Sequence, residues 1–318
     1  MPSPQADPRL AVELCGVSLR NPVLTASGTC GFGAEYADVL DYAQLGGFTT
    51  KSVTLHERPG NEPQRIVETP AGLLNAIGLA NVGLARFLTE KLPFIQEKMD
   101  TRVFVNVAGY TIDDYVRVCE AIDEQAGVAG IELNVSCPNV ADGLMFGTDP
   151  ALLRQVVESV RRVVKRGVLI VKLSPNVTDI AETARAAIDG GADALSLINT
   201  YVGLSIDVER RVPHLANVTG GYSGPAILPL ALYNVHRVYR AVARDAGVPI
   251  VGMGGISSAD DAIAFLLAGA TAVSVGTALF VNPCVPIEIA AGLSGYLDRH
   301  ALGRISDLTG ELALPGSS

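Results

Sequence analysis

Cys137 stands between two amides in the run Asn134-Val-Ser-Cys-Pro-Asn139. An unperturbed thiol has a pKa of about 8.5, so only a few per cent is thiolate near neutral pH. Such a group can act as a base on a weakly acidic C–H or as a nucleophile. His56, His214, His236 and His300 all lie far from it in sequence, which leaves a Cys–His protease arrangement unsupported. Cys15, Cys30, Cys119 and Cys284 are read as buried, inert thiols. With five scattered cysteines and no CxxC pair, no metal or iron–sulfur site is expected within this chain.

Two lysines are placed where they need explaining. Lys172 ends the apolar run Val168-Leu-Ile-Val-Lys172, and Lys51 follows Phe48-Thr-Thr50. A lysine at the end of a buried strand needs a partner or an exit to water. Each either snorkels to solvent or faces an anion that develops during a reaction, and both readings stand. Asn75, Asn106, Asn134, Asn139 and Asn199 offer donors and acceptors together. As a set they fit a flat ligand rich in C=O and N–H groups, while any one alone reads as a turn residue.

Gly254-Gly255 precedes Ser258, and Gly276-Thr277 precedes Ala278-Leu-Phe280. Each pair puts bare backbone N–H groups at a helix start, and two such starts side by side make a phosphate site. The plainer alternative is two tight turns. The dinucleotide fingerprint is not met. Gly252-Met-Gly-Gly-Ile-Ser257 lacks its third glycine, and Gly28-Thr-Cys-Gly-Phe-Gly33 has the spacing reversed.

The elements that must hold these groups follow a rhythm. In Ala43-Gln-Leu-Gly-Gly-Phe48, Glu124-Gln-Ala-Gly127, Ile188-Asp-Gly-Gly-Ala192 and Leu267-Ala-Gly-Ala270, a helix end meets glycine and a strand follows at once. The strands are short, apolar and unalternating, as parallel strands buried on both faces are. Eight are read, beginning near Val23, Phe48, Val103, Ile131, Leu169, Ala194, Pro249 and Ala272. Asp149-Pro150 opens a helix to about Lys165, and Thr111-x-x-Asp114 and Ser258-x-x-Asp261 are capping-box starts. The alternation predicts an α/β fold, a (β/α)8 TIM barrel, over an open doubly wound sheet. A short hairpin around Cys15-Gly16 precedes it, and residues 1–8 read as a frayed tail of a single domain spanning 1–318. Long connections follow strand two (52–81) and strand six (200–224), and loops of that length are usually functional. Every group singled out above falls at a strand end or in one of these loops, on the rim where barrel enzymes place chemistry.

Composition narrows the class. The chain has 318 residues, 48% hydrophobic and 18% charged, enough for a large core. A net charge of −9 and no basic stripe argue against nucleic acid. The uncharged run 262–287 is long enough to raise a membrane span. Gly269, Thr271, Ser274, Gly276, Asn282 and Pro283 interrupt it, so it is read as helix, turn, buried strand and loop. Free thiols and no signal peptide point to a cytoplasmic protein.

Taken in order, several stretches resemble the class 1 dihydroorotate dehydrogenases, flavin enzymes of pyrimidine synthesis. They are Lys51-Ser-Val-Thr54, Thr69-Pro-Ala-Gly-Leu-Leu-Asn-Ala-Ile-Gly-Leu79, Asn134-Val-Ser-Cys-Pro-Asn139, Val171-Lys-Leu-Ser-Pro175, Ile198-Asn-Thr200, Ser223-Gly-Pro225 and Gly254-Gly-Ile256. The similarity runs from about Leu10 to Ala301. The loop Val140-Ala-Asp-Gly-Leu-Met-Phe-Gly147 is most similar to the NAD-linked subtype, class 1B.

The resemblance implies FMN on the rim, its phosphate on Gly254, Gly255, Gly276 and Thr277. Ser27, Lys51, Ser52, Asn106, Asn134, Lys172, Ile198 and Gly224 would contact the rest of it. Dihydroorotate would be held by Lys51, Asn75, Ala76, Ile77, Gly78 and Leu79, with Asn134, Asn199 and Thr200. Cys137 would take the C5 proton as hydride leaves C6, and Lys172 would stabilise the reduced flavin. The subtype further implies a partner subunit carrying FAD and a 2Fe-2S cluster, in a homodimer or a heterotetramer. A fumarate-linked class 1A enzyme, a uracil-type dihydropyrimidine dehydrogenase and a flavin-binding scaffold without turnover are the rival readings.

Overall fold

The computed structural model describes residues 7–135 and 146–315. The chain opens with an antiparallel hairpin, β1 (Val12–Leu14) and β2 (Val17–Leu19). Cys15 and Gly16 form its two-residue turn with φ of 51° and 83°, the left-handed pair that a tight hairpin requires. The barrel then begins with β3 (Val23–Thr25) and β4 (Gly47–Thr49). An excursion follows as the hairpin β5 (Ile66–Thr69) and β6 (Gly72–Asn75). The barrel resumes with β7 (Arg102–Val107), β8 (Val128–Asn134), β9 (Val168–Lys172) and β10 (Ala194–Leu197). A second excursion carries β11 (Tyr201–Leu204), β12 (Ile206–Asp207), β13 (Val212–Pro213) and β14 (Thr219–Ser223). β15 (Ile250–Met253) and β16 (Ala272–Val275) complete the ring.

The eight barrel strands close on themselves in the order β3-β4-β7-β8-β9-β10-β15-β16, all parallel. The fold is the expected (β/α)8 barrel. Its helices turn apolar stripes inward. The helix Pro150–Arg161 buries Leu153, Val156, Val157 and Val160, and Asp149 caps it by accepting from the backbone of Ala151 and Leu152. Thr111 and Asp114 form a reciprocal capping box at the helix Ile112–Asp123.

Local departures from the sequence reading have local causes. The helix from Asp149 stops at Arg161, short of Lys165. Gly127, Gly191 and Gly269 take positive φ after their helices, but Gly46 does not. The element before Gly46 is a single 3-10 turn, Tyr42–Gln44. Gly46 is glycine because a Cβ there would lie 1.8 Å from the carbonyl oxygen of Asn21. The expected tail is partly fixed, since Asp7 caps the turn Pro8–Leu10 and binds Arg9. The uncharged run 262–287 holds a helix end, β16, a 3-10 turn and the first residues of the helix Val285–His300. Among the described residues no helix is long and apolar enough to cross a membrane. Cys30 and Cys119 are buried as expected, but Cys15 and Cys284 are exposed. Cys15 sits at the hairpin tip and Cys284 just ahead of a helix, where turn geometry outweighs the thiol's preference for the core.

The two excursions, read separately in the sequence, build one sheet. β14 pairs antiparallel with β6, giving the order β11-β14-β6-β5. Leu74, Ala76 and Leu215 form a small core beneath it, with Val67 and Tyr222 packed against them.

Candidate active site

A cavity of about 690 Å³ lies at the carboxyl ends of the barrel strands, beside this sheet. That volume falls in the range of small-molecule and cofactor sites. The ends of β3 and β4 give it Ser27, Lys51 and Ser52; β8 and β9 give Asn134 and Lys172. The segment after β10 supplies Ile198, Asn199 and Thr200, and the β6 side supplies Asn75, Ile77, Gly78 and Leu79. Gly224, Gly254, Gly255, Gly276 and Thr277 complete the lining.

Two expected contacts are not on the cavity wall. The Ala76 side chain is turned into the small core of the sheet. Asn106 lies wholly buried below the cavity floor. Cys137, with Pro138, Asn139 and the loop to Met145, lies outside the described residues.

The glycine end is a backbone cradle. Gly224, Gly254 and Gly255 have φ of 106°, 130° and 78°. A Cβ on Gly255 would sit 2.9 Å from the Gly224 carbonyl oxygen and 2.9 Å from the backbone N of Leu228. These turns are therefore closed to side chains and present peptide groups. Gly254 and Gly255 lead into the α-helix Ala259–Ala268 as expected. Gly276 leads only into a four-residue 3-10 turn, Thr277–Phe280, rather than an α-helix. Thr277 Oγ1 lies 2.8 Å from Ser223 Oγ, which ties this end to β14.

The floor is a chain of polar groups from six consecutive barrel strands. Ser52 Oγ donates to Asn106 Oδ1 at 2.5 Å, and Asn106 Nδ2 donates to Glu132 Oε1 at 2.7 Å. Ser196 Oγ donates to Glu132 Oε2 at 2.9 Å. Lys172 Nζ lies 3.7 Å from Glu132 Oε1 and donates to Ser27 Oγ at 3.1 Å. Lys172 thus does not snorkel. It is a buried ion-paired ammonium at the cavity wall.

The sequence reading passed over Glu132 and Ser196. The signal for Glu132 was present, because a carboxylate inside the apolar run Ile131-Glu-Leu is almost never fully buried without a partner. Lys51 differs from Lys172. Burial pushes its ammonium below the ordinary lysine value; Glu35 opposes that shift and Arg65 adds to it. Across the cavity, Asn199 Nδ2 reaches Asn134 Oδ1 at 3.5 Å, and Asn75 Nδ2 donates to the Gly221 carbonyl at 3.3 Å. Asn134 and Asn199 thus meet each other, while Asn75 is tied to β14.

Fold and cavity together define a (β/α)8 barrel with a glycine cradle, two lysines and several amides at the carboxyl-end rim, where barrel enzymes place chemistry. The comparisons make this specific. The family profile described as Dihydroorotate dehydrogenase matches residues 9–297, and the chain belongs to that family. It is 54% identical to a protein of Pelobacter propionicus named dihydroorotate dehydrogenase B (NAD(+)), catalytic subunit, over 96% of this chain and 99% of that one. A protein of the same name from Geotalea daltonii is 52% identical, over 97% and 100%. Another from Alkaliphilus oremlandii is 49% identical, over 95% and 98%.

Proposed function

We propose that this chain is the catalytic subunit of an NAD-linked dihydroorotate dehydrogenase. It would oxidise (S)-dihydroorotate to orotate in de novo pyrimidine synthesis, in the cytoplasm and as a single domain. The observation that carries this reading is the pairing of a glycine cradle with a buried ammonium and an amide rim in one cavity. Near-complete similarity to relatives bearing that enzyme's name supports it.

The residues suit FMN. The peptide groups of Gly254, Gly255 and Gly276 and the hydroxyl of Thr277 would hold its phosphate. Ser27, Ser52, Asn134, Lys172, Ile198 and Gly224 would line the rest, with Asn106 acting from below through Ser52. FMN, when bound, accepts the hydride that leaves C6 of the substrate. Lys51, Asn75, Asn199 and Thr200 would hold the substrate's amide edges and carboxylate, with the backbone of Ile77 to Leu79 beside it and Ala76 anchoring that stretch in the small core. Cys137 Sγ would remove the C5 proton. Lys172 Nζ would face the negative charge gained by the ligand beside it.

Electrons would pass to NAD through a second subunit with FAD and a 2Fe-2S cluster, in a heterotetramer built on a homodimer of this chain. A run of exposed apolar residues, Val202, Leu204, Ile206 and Val208, is the face we assign to the second copy.

The test is direct. The purified chain should be yellow, and anaerobic dihydroorotate should bleach it. A colourless protein that takes up no FMN would end the reading. A yellow protein never bleached by dihydroorotate would favour a scaffold, and faster bleaching by a carboxylate-free dihydropyrimidine would favour the uracil-type enzyme.

A further inference from the structure

Glu132 has no surface on the cavity, yet it touches the groups that shape it. Its carboxylate is 4% exposed and accepts from Asn106 and Ser196. Both are neutral groups that a glutamine amide could satisfy, its oxygen accepting from Asn106 and its nitrogen donating to Ser196 Oγ. Placing a charge in this position costs desolvation free energy, and a hydrogen-bonded amide of the same shape would avoid that cost. What an amide cannot supply is a counter-ion for Lys172, 3.7 Å away and itself buried. Lys172 has the carboxylate of Glu132 3.7 Å away and donates to the hydroxyl of Ser27, and it borders the cavity.

We propose that Glu132 is a positioning residue: its carboxylate holds Lys172 at the cavity wall as a cation, and so sets the charge that the site presents to an anion. Asn106 and Ser196 fix the carboxylate from two neighbouring strands, and Asn106 carries the same constraint to Ser52. The inference rests on the FMN-dependent reading above and assigns that site its electrostatic support.

Glu132→Gln keeps the bond from Asn106 through its amide oxygen, turns the other round so that its amide nitrogen donates to Ser196 Oγ, and removes the charge. The decisive readout is the two-electron midpoint potential of the bound flavin, measured in the holoprotein for Glu132→Gln, Lys172→Gln and the double variant. Losing the cation must lower the potential, because reduction brings negative charge to the flavin. A carboxylate acting directly through space would do the opposite, and its removal would raise the potential. We expect Glu132→Gln to lower it, as Lys172→Gln does, and the double variant to fall no further than Lys172→Gln. Bleaching by dihydroorotate should slow by about 10- to 100-fold, as when outer partners of a functional group are lost. A raised potential in Glu132→Gln, or shifts that add in the double variant, would overturn the proposal.

Should Glu132→Gln not fold, the double variant should fold, because it leaves no lone buried charge. A double variant no more stable than Glu132→Gln would also refute the pairing. Thermal unfolding of FMN-free protein reads that cycle even if the wild-type chain takes up no FMN, so the two readings fail separately.

Discussion

Lys51 and Lys172 border the same cavity with different neighbours, and their behaviour should differ accordingly. Lys172 has a carboxylate at 3.7 Å. Lys51 is held mainly by burial, which disfavours its charged form and places its titration below the ordinary 10.5. An anionic ligand beside Lys51 favours the ammonium, so above the free protein's titration point each binding event must take up a proton. Orotate affinity should therefore fall as pH rises, with onset below 10.5, by at most about tenfold per pH unit. Titrating bound-flavin absorbance with orotate between pH 7 and 11 measures this, and Lys51→Met should flatten the slope. A wild-type slope that begins only above 10.5 would separate Lys51 from the ligand. The thiol is tested by chemistry. Cys137→Ser offers a far weaker base, so flavin reduction by dihydroorotate should slow by about 100-fold or more while FMN stays bound. Stopped-flow bleaching at several pH values reads it, and an unchanged rate would remove Cys137 from proton abstraction.

At the scale of elements, the sheet built from both excursions decides how the rim amides meet the ligand. β14 passes so close to the segment after β10 that a Cβ on Gly221 would lie 2.1 Å from Thr200 Oγ1. Gly221→Ala must displace Thr200, an overpacking worth about 1–3 kcal/mol. We expect KM for dihydroorotate to rise by roughly tenfold or more with flavin content unchanged, since 1.4 kcal/mol is tenfold. Loss of FMN instead would place β14 in cofactor binding. This sheet also marks where sequence reading stops. The barrel strands were legible because they are short apolar runs, four of them opened by a glycine at a helix end, as in Leu267-Ala-Gly-Ala270. The Thr111 and Asp149 caps were legible for the same reason: their partners lie within three residues. The pairing of Asn75 with Gly221 joins residues far apart in the chain, and nothing local to either announces it. Asn106 was recognised as a site residue, but its place beneath the floor depends on Glu132 and Ser52 from neighbouring strands. Phe280 follows a glycine turn like that before Ser258, yet only the latter continues as an α-helix, because Asn282-Pro283 cuts the former short.

At the scale of the whole molecule, the proposed function asks the barrel to associate with a second copy and to pass its electrons on. The strip Val202, Leu204, Ile206 and Val208 runs along β11, the outer strand of the excursion sheet, and through β12 just after it, at 51, 51, 53 and 76% exposure. An exposed apolar strip of this kind invites association. Leu204→Glu with Ile206→Glu should convert a dimer to a monomer in sedimentation velocity without bleaching the cofactor. A variant that remains dimeric would move the interface elsewhere. Electron exit makes a sharper demand. On the proposed function, a hydride taken from dihydroorotate would leave the bound FMN two electrons richer, and the chain could act again only when an acceptor reached it. If relatives called catalytic subunits describe this chain's state, one dihydroorotate per flavin should react fast in the isolated chain. NAD added to that chain should then give slow re-oxidation. Adding an FAD- and iron–sulfur-bearing partner should restore steady NAD reduction, with both proteins eluting as one complex. The contrast between a fast half-reaction and a partner-dependent turnover is what separates the NAD-linked reading from the fumarate-linked one. Turnover of the isolated chain with fumarate as fast as that of the complex with NAD would reverse the assignment.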